Sequence, residues 1–198
     1  YRSLVLSRAW PAFARNRVFT KIKPKKEYAN RTVEILKRLN DFAKPGHVQQ
    51  VDLCKVVDTS IEMARDGLKR LLTNIDIINE MDGDLPKVEG NYVHFEEVFL
   101  NLIHNASQAM EETGGRVIIR GVPENGQVRI AVEDTGPGIP KENLNRVGGA
   151  FFTTKKDGMG MGLYIIDNIL KTFGGSLELE SEEGKGSTFT VVLPAANP

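Results

Sequence analysis

Four groups of side chains could do chemistry, and they follow one another along the chain. Between Asn91 and Met110, Glu97, Asn101, His104, Asn105 and Gln108 recur at helical spacing, which gathers them on one side of an expected helix. Phe95, Val98, Phe99, Leu102, Ala106, Ala109 and Met110 fall on the other side. An amide side chain can offer its oxygen to a hard cation. Further on, Asp134-Thr135-Gly136-Pro137-Gly138 sets a carboxylate, which only accepts hydrogen bonds, beside two glycines that let the backbone come close to a ligand. Phe151-Phe152-Thr153-Thr154-Lys155 then brings two hydroxyls and a cation. Gly158, Gly160 and Gly162 lead into Leu163 and an expected helix, whose first N–H groups attract anions. No GxxxxGK[ST] sequence is present. Taken singly, each group has an ordinary reading: a solvated helix face, an Asp-Thr-Gly turn, core phenylalanines, a flexible connector.

Their order says more. NLIHNA, EDTGPGIP, FFTTK and GMGMGL resemble the N, G1, F and G2 boxes of the Bergerat ATP-binding fold, which gyrase, the Hsp90 chaperones, MutL and the sensor histidine kinases share. The similarity runs roughly from Val51 to Pro194, and the sequence looks most like the sensor histidine kinases of bacterial two-component systems. That resemblance implies ATP and Mg2+ as cofactors. It also implies an ATP-binding set of Asn101, Asn105, Asp134, Gly136, Gly138, Thr153, Thr154, Lys155, Gly158, Gly160, Gly162, Leu163 and Thr188. Within it Asp134 takes the exocyclic amino group of adenine, Thr188 reaches the base through water, and Asn105 is the metal ligand. Asn101, His104 and Lys155 are the implied catalytic residues.

The hydrolysing branches of the fold carry a glutamate one turn before the metal-binding asparagine, as general base toward water. Here that position is Asn101. An amide cannot take the proton, which favours phosphoryl transfer to another acceptor; Glu97, a further turn back, is the one side chain that blurs this argument. The reaction implied is transfer of the ATP γ-phosphoryl group to a histidine, for relay to the receiver domain of a response regulator. A nucleotide-sensing module and a serine kinase of the anti-sigma-factor type are the alternatives on the same fold. His47, His94 and His104 are the only histidines, and none stands in an H-E-[LIV]-x-N-P pattern. With Tyr1 in place of a methionine, the expectation is a fragment whose phosphoacceptor lies upstream. Val147-Gly148-Gly149-Ala150 also departs from the Phe-Glu-Pro-like approach usual before the F box.

The elements that must position these groups read as follows. Val51–Leu53 is a short strand, 55–71 a helix, and 75–78 and 85–88 are strands about an Asp82-Gly83 turn. After the Asn-bearing helix come strands 116–121 and 127–133 about Asn125-Gly126, a helix over 162–173, and a final hairpin of 176–180 with 188–193. Neighbouring strand pairs interleaved with helices predict an α+β protein, an α/β sandwich of the Bergerat type with a mixed sheet and helices on one face. Before it, Tyr28, Thr32, Ile35, Leu39 and Phe42 form a heptad-like stripe closed by Lys44-Pro45-Gly46. ILKRLNDFAKPG resembles the end of a dimerisation and phosphotransfer hairpin, which implies a homodimer of the intact protein; a core helix of a monomer is the plainer alternative. Residues 1–46 are therefore expected to be a partial helical segment, and 47–198 the catalytic ATP-binding domain.

Composition excludes other classes. Lys+Arg and Asp+Glu number 26 each, so net charge gives no case for nucleic acid. Tyr1–Lys26 holds eight basic and no acidic residues, a solvated arm or a surface for phosphates or a membrane. Cys54 is the one cysteine, expected as a small core residue in a reducing compartment. No apolar run reaches the roughly 18 residues of a membrane helix. The expected location is cytoplasmic, with a parent protein that is free to carry a membrane anchor elsewhere.

Overall fold

A computed structural model describes residues 47–69, 71–81, 83–149, 151–153 and 160–196. The helix expected over 25–43 lies outside the described residues.

Strand β1 (Gln49–Val51) is followed at once by helix α1 (Leu53–Gly67). Asp52 ends the strand and caps the helix, its Oδ1 accepting from the N–H groups of Cys54 at 3.1 Å and Lys55 at 3.4 Å. Leu53 thus belongs to the helix, which starts and stops earlier than 55–71; a single 3-10 turn (Leu71–Asn74) follows. Cys54 sits half-buried in the first turn, where burial and the Asp52 carboxylate push its thiol pKa up. Val56, Val57, Ile61 and Ala64 form the buried stripe of α1.

The segment after α1 does not form the expected hairpin. Strand β2 (Ile75–Asn79) and strand β3 (Val88–Gly90) go to different sheets. β3 pairs antiparallel with β1, Val51 opposite Val88, in a two-stranded ribbon. Pro86 has no N–H for a ladder, and pairing starts only at Val88. β2 instead lies parallel to strand β4 (Gly115–Glu124), Ile75 opposite Gly115. Parallel neighbours need a long crossover, and helix α2 (Tyr92–Ala109) supplies it.

From β4 onward the chain follows the sequence reading. The Asn125-Gly126 turn, with φ of 51° and 76°, has both residues left-handed as a type I′ turn requires, and leads into strand β5 (Gln127–Asp134). A short helix α3 (Lys141–Leu144), which the sequence reading lacks, follows the Gly-Pro-Gly turn. Helix α4 (Gly162–Thr172), strand β6 (Ser176–Glu182) and strand β7 (Gly186–Pro194) complete the order. The five-stranded sheet runs β2-β4-β5-β7-β6, mixed because only β2 and β4 are parallel.

The pleat sorts this sheet into two faces. Val117, Ile119, Val128, Ile130, Val132, Phe189, Val191 and Leu193 are buried on one. α1 packs on α2 and α2 on α4, with α2 against β4 and β5 and α4 against β6 and β7. The other face carries a charged ladder: Arg120 bridges Glu80 (2.7 Å) and Glu133 (2.5 Å), and Arg129 bridges Glu178 (2.5 Å) and Glu124 (3.3 Å). Phe95, Phe99, Leu102, Ile103 and Met110 from α2 are buried at the centre, each large side chain contributing roughly 1.5–3 kcal/mol of transfer free energy. Ala109, expected on the apolar side, is exposed, and Ile103 takes a buried place. No helix among the described residues is long and apolar enough to cross a membrane.

Candidate functional site

Two groups lie along helix α2: the start of α4 against its asparagines, and the 136–138 turn, clamped to the β6–β7 turn, near its C-terminal end. The starting point is α2. Asn91 caps it, its Oδ1 accepting from Val93 N–H at 2.9 Å and His94 N–H at 3.3 Å. Core packing of the opposite stripe then fixes the helix rotation, and Glu97, Asn101, His104, Asn105 and Gln108 come out half-buried along one line. The Asn101 side-chain amide donates to the Glu97 carbonyl at 2.8 Å. That bond aims Oδ1 away from its own helix. A Cβ placed on Gly162 would lie 3.6 Å from Asn101 Oδ1 and 3.8 Å from Asn105 Nδ2. The two asparagines therefore lie against the first residue of α4.

The residue before α4, Met161, gives that end of the helix no side-chain cap. Its leading N–H groups have no intrahelical acceptors. Gly160, at φ 66°, takes a backbone form that glycine adopts most readily, and a Cβ there would meet the Phe152 carbonyl at 2.5 Å. The Phe151 N–H donates to Gly160 O at 3.0 Å, so the F-box start and the G2 end are tied together. Phe152 is half-buried beneath the Arg146 guanidinium, 4.4 Å from its ring centroid. Phe151 is 73% exposed with φ 65°, which gives it no core anchoring role. Thr153 is exposed next to it; Thr154, Lys155 and Gly158 lie outside the described residues.

At the other end of the site stands Asp134. Alternation along β5 puts it on the buried face with Val128, Ile130 and Val132, and it is 4% exposed. Its Oδ1 accepts from Gly136 N–H at 2.9 Å, which folds the turn back over the carboxylate. A Cβ on Gly136 would sit 2.8 Å from that oxygen and 3.1 Å from Met110 Cγ, so only glycine lets the turn close this tightly. Gly138, at φ 71°, lies so near β6 that a Cβ would collide with the Glu182 carbonyl oxygen. The Gly184 N–H donates to Pro137 O at 2.7 Å, and Ile139 N–H to Ser181 Oγ at 2.8 Å. The Gly-Pro-Gly turn is thus clamped to the β6–β7 turn.

One expected site residue is not brought here. Thr188 pairs with Glu133 and shares its face, the charged one, whereas Asp134 pairs with Ser187. Ser187 is 6% exposed and its Oγ lies 3.0 Å from Ser181 Oγ. The hydroxyl beside the carboxylate is therefore Ser187, one residue earlier, because neighbouring residues in a strand point to opposite faces. Arg146, Ser181 and Ser187 had no place in the sequence reading. Among the described residues no group of three His, Cys, Asp or Glu could hold a metal ion. A cation here would rest on amide oxygens and on its ligand's own oxygens, a donor set that suits Mg2+ with a phosphate chain.

Comparison with known proteins identifies the family and the fold. Residues 90–197 match the family described as histidine kinase-, DNA gyrase B-, and HSP90-like ATPase. The sensor histidine kinase ZraS of Escherichia coli K12 is 35% identical over 170 residues, covering 84% of this chain and 36% of ZraS. Sporulation kinase C of Bacillus subtilis is 37% identical over 168 residues, covering 81% of this chain and 37% of that kinase. The chain thus spans little more than a third of these relatives. The structure of a mycobacterial sensor histidine kinase, MprB, superposes with a TM-score of 0.66 at 27% identity, over 77% of this chain and 100% of that one. With the N-box helix, the G1 turn and the G2 helix start assembled on a mixed sheet under helices, the chain belongs to the histidine kinase-, gyrase B- and HSP90-like ATPase family and carries its ATP-binding fold.

Proposed function

We propose that residues 47–198 bind Mg-ATP and transfer its γ-phosphoryl group to a histidine supplied by another segment or subunit. The observation that carries this reading is the meeting of Asn101 and Asn105 with the start of α4, at Gly162. Asp134 and the Gly136–Gly138 turn would hold adenine, with Ser187 in the place first given to Thr188. The N–H groups from Gly162 and Leu163 would hold phosphates, with Thr153, Thr154, Lys155, Gly158 and Gly160 as further contacts to the nucleotide. Asn105 would ligate Mg2+, and His104 lies one residue away on the same half-buried line. Held there by Asn105, Mg2+ would supply neutralisation of charge on the phosphate chain.

Transfer is favoured over hydrolysis because the position one turn before Asn105 is an amide already bonded to the Glu97 carbonyl. It has no basic lone pair for a water proton. In the transfer, the bond from the γ-phosphorus to the β,γ-bridging oxygen breaks and a phosphorus–nitrogen bond forms. The imidazole attacks through its unprotonated nitrogen, ADP leaves with the electron pair of the broken bond, and the proton on the other ring nitrogen passes to water. The protein's part is alignment and charge neutralisation. In the intact protein a receiver domain of a response regulator would take the group next. Residues 1–46 would belong to the helical dimerisation segment, and the nucleotide domain would stand in the cytoplasm, where ATP is available.

The test supplies a histidine-bearing hairpin in trans with radiolabelled ATP. Label should appear on the hairpin, be acid-labile, require Mg2+, and vanish with Asn105→Ala. Acid-stable label, or label that persists in Asn105→Ala, would contradict the assignment.

A further inference from the structure

We propose that Ser181 is a positioning residue for base selectivity: it fixes the direction of the Ser187 O–H bond and so makes the wall beside Asp134 a surface of acceptors only. This rests on the nucleotide reading above.

Ser181 Oγ has three polar neighbours: Ile139 N at 2.8 Å, Gly186 O at 2.9 Å and Ser187 Oγ at 3.0 Å. A hydroxyl has one proton and two lone pairs. Ile139 can only donate, so it occupies one lone pair. The Gly186 carbonyl can only accept, so it takes the Ser181 proton. What remains toward Ser187 is a lone pair, and Ser187 must donate into it. Its proton is then committed to Ser181. On its remaining side Ser187 shows lone pairs, across the ladder from Asp134. Two acceptors side by side suit the exocyclic amino group of adenine, directly or through water. They oppose the carbonyl that guanine carries at the same ring position.

Ser181 itself need not touch the nucleotide. It stands on β6, and its geometry is fixed by backbone: the Ile139 bond comes from the G1 turn and the Gly186 bond from the start of β7. Gly186, at φ 121°, is pressed against the Asp134 carbonyl, where a Cβ would collide, so these groups are held in register with the carboxylate. Removing the Ser181 hydroxyl would free the Ser187 proton to turn toward the bound base and meet a guanine carbonyl.

The experiment measures ATP and GTP affinities by calorimetry for the wild type, Ser181→Ala, Ser181→Thr, Ser187→Ala, the Ser181→Ala/Ser187→Ala double variant and Asp134→Asn. Ser181→Ala should lower the ATP-over-GTP affinity ratio about three- to tenfold, the worth of one hydrogen bond. Ser181→Thr, which keeps the hydroxyl, should restore the ratio. The double variant should discriminate no worse than Ser187→Ala alone, because the two act as one unit. A ratio within twofold of wild type in Ser181→Ala, with both affinities falling alike, means a merely structural role and overturns the proposal. Ser187→Ala leaves the Ile139 and Gly186 bonds of Ser181 in place and reads the wall even where Ser181→Ala does not fold; an unchanged ratio there overturns it as well. Asp134→Asn separates the layers. If it binds ATP like the wild type, the nucleotide reading itself fails, whereas its loss of ATP beside an unchanged Ser181→Ala ratio removes only the role of Ser181.

Discussion

Replacing Asp134 by Asn changes one atom in a side chain that is 4% exposed, and the structure says what should follow. The turn should survive, because an asparagine Oδ1 can still accept from the Gly136 N–H that Asp134 holds at 2.9 Å. The base contact should not. The new amide turns two N–H donors toward an adenine amino group that is itself a donor, and the charge that strengthened the old bond is gone. Hydrogen bonds to charged groups are worth about 1.5–3 kcal/mol, and about 2 kcal/mol corresponds to roughly a 30-fold weaker ATP affinity. Differential scanning fluorimetry reads this directly. With ATP at about 100 times the wild-type Kd, binding stabilises the folded state by about 2.7 kcal/mol. A 30-fold weaker Kd leaves about 0.9 kcal/mol under the same conditions. At roughly 2–4 °C per kcal/mol for a domain near this size, the ligand-induced shift should drop from about 5–11 °C to about 2–4 °C. The melting temperature without ligand should hardly move. An Asp134→Asn protein that keeps the full ATP shift would refute the reasoning, since the buried carboxylate would then have no part in holding the base.

Other perturbations separate packing from binding. Gly138→Ala should destabilise the domain by about 1–3 kcal/mol in urea unfolding, because a Cβ at φ 71° collides with the Glu182 carbonyl. Gly162→Ala should fold with undiminished stability, its Cβ meeting Asn101 and Asn105 at ordinary contact distances of 3.6 and 3.8 Å; calorimetry should nonetheless show weaker ATP binding, because the methyl group would enter the proposed phosphate site. Arg129→Ala, on the solvent face of the sheet, should leave ATP affinity unchanged and the melting temperature nearly so, since exposed ion pairs contribute little. His94 is half-buried with its ring 5.9 Å from that of Phe173, and burial holds its pKa below the usual 6.5. The unfolded state therefore binds this proton first. The stability that His94 contributes is complete above pH 6.5 and is lost as pH falls through its folded-state pKa. His94→Gln should flatten that part of the profile of unfolding free energy against pH.

What the sequence made legible follows from the period of each signal. The Asn91–Met110 helix was readable because apolar and amide residues repeat at helical spacing over five turns' worth of chain, and Asn125-Gly126 because few other pairs adopt two left-handed conformations in succession. The partner of Val88–Gly90 was not readable: a three-residue strand after a proline has no pattern that distinguishes a hairpin with β2 from a ribbon with β1. Long-range pairing decided it. Ser187 was legible in principle. Phe189, Val191 and Leu193 mark the buried face of the last strand, and stepping back by two from Phe189 reaches Ser187. Assigning Thr188 by similarity to a motif ignored this pleat, and a shift of one residue in a strand reverses the face. Ser181 carries no motif signal at all. Its importance comes from three backbone and side-chain partners that only the folded sheet brings together.

The most direct test of the central claim is amide chemical-shift mapping of residues 47–198 during an ADP titration. Shifts should concentrate at Asn101–Asn105, Asp134–Ile139, Gly160–Leu163 and Ser187, with the Arg129–Glu178 face silent. Saturable shifts on that charged face, or no response at Asp134 and Gly162, would contradict the account.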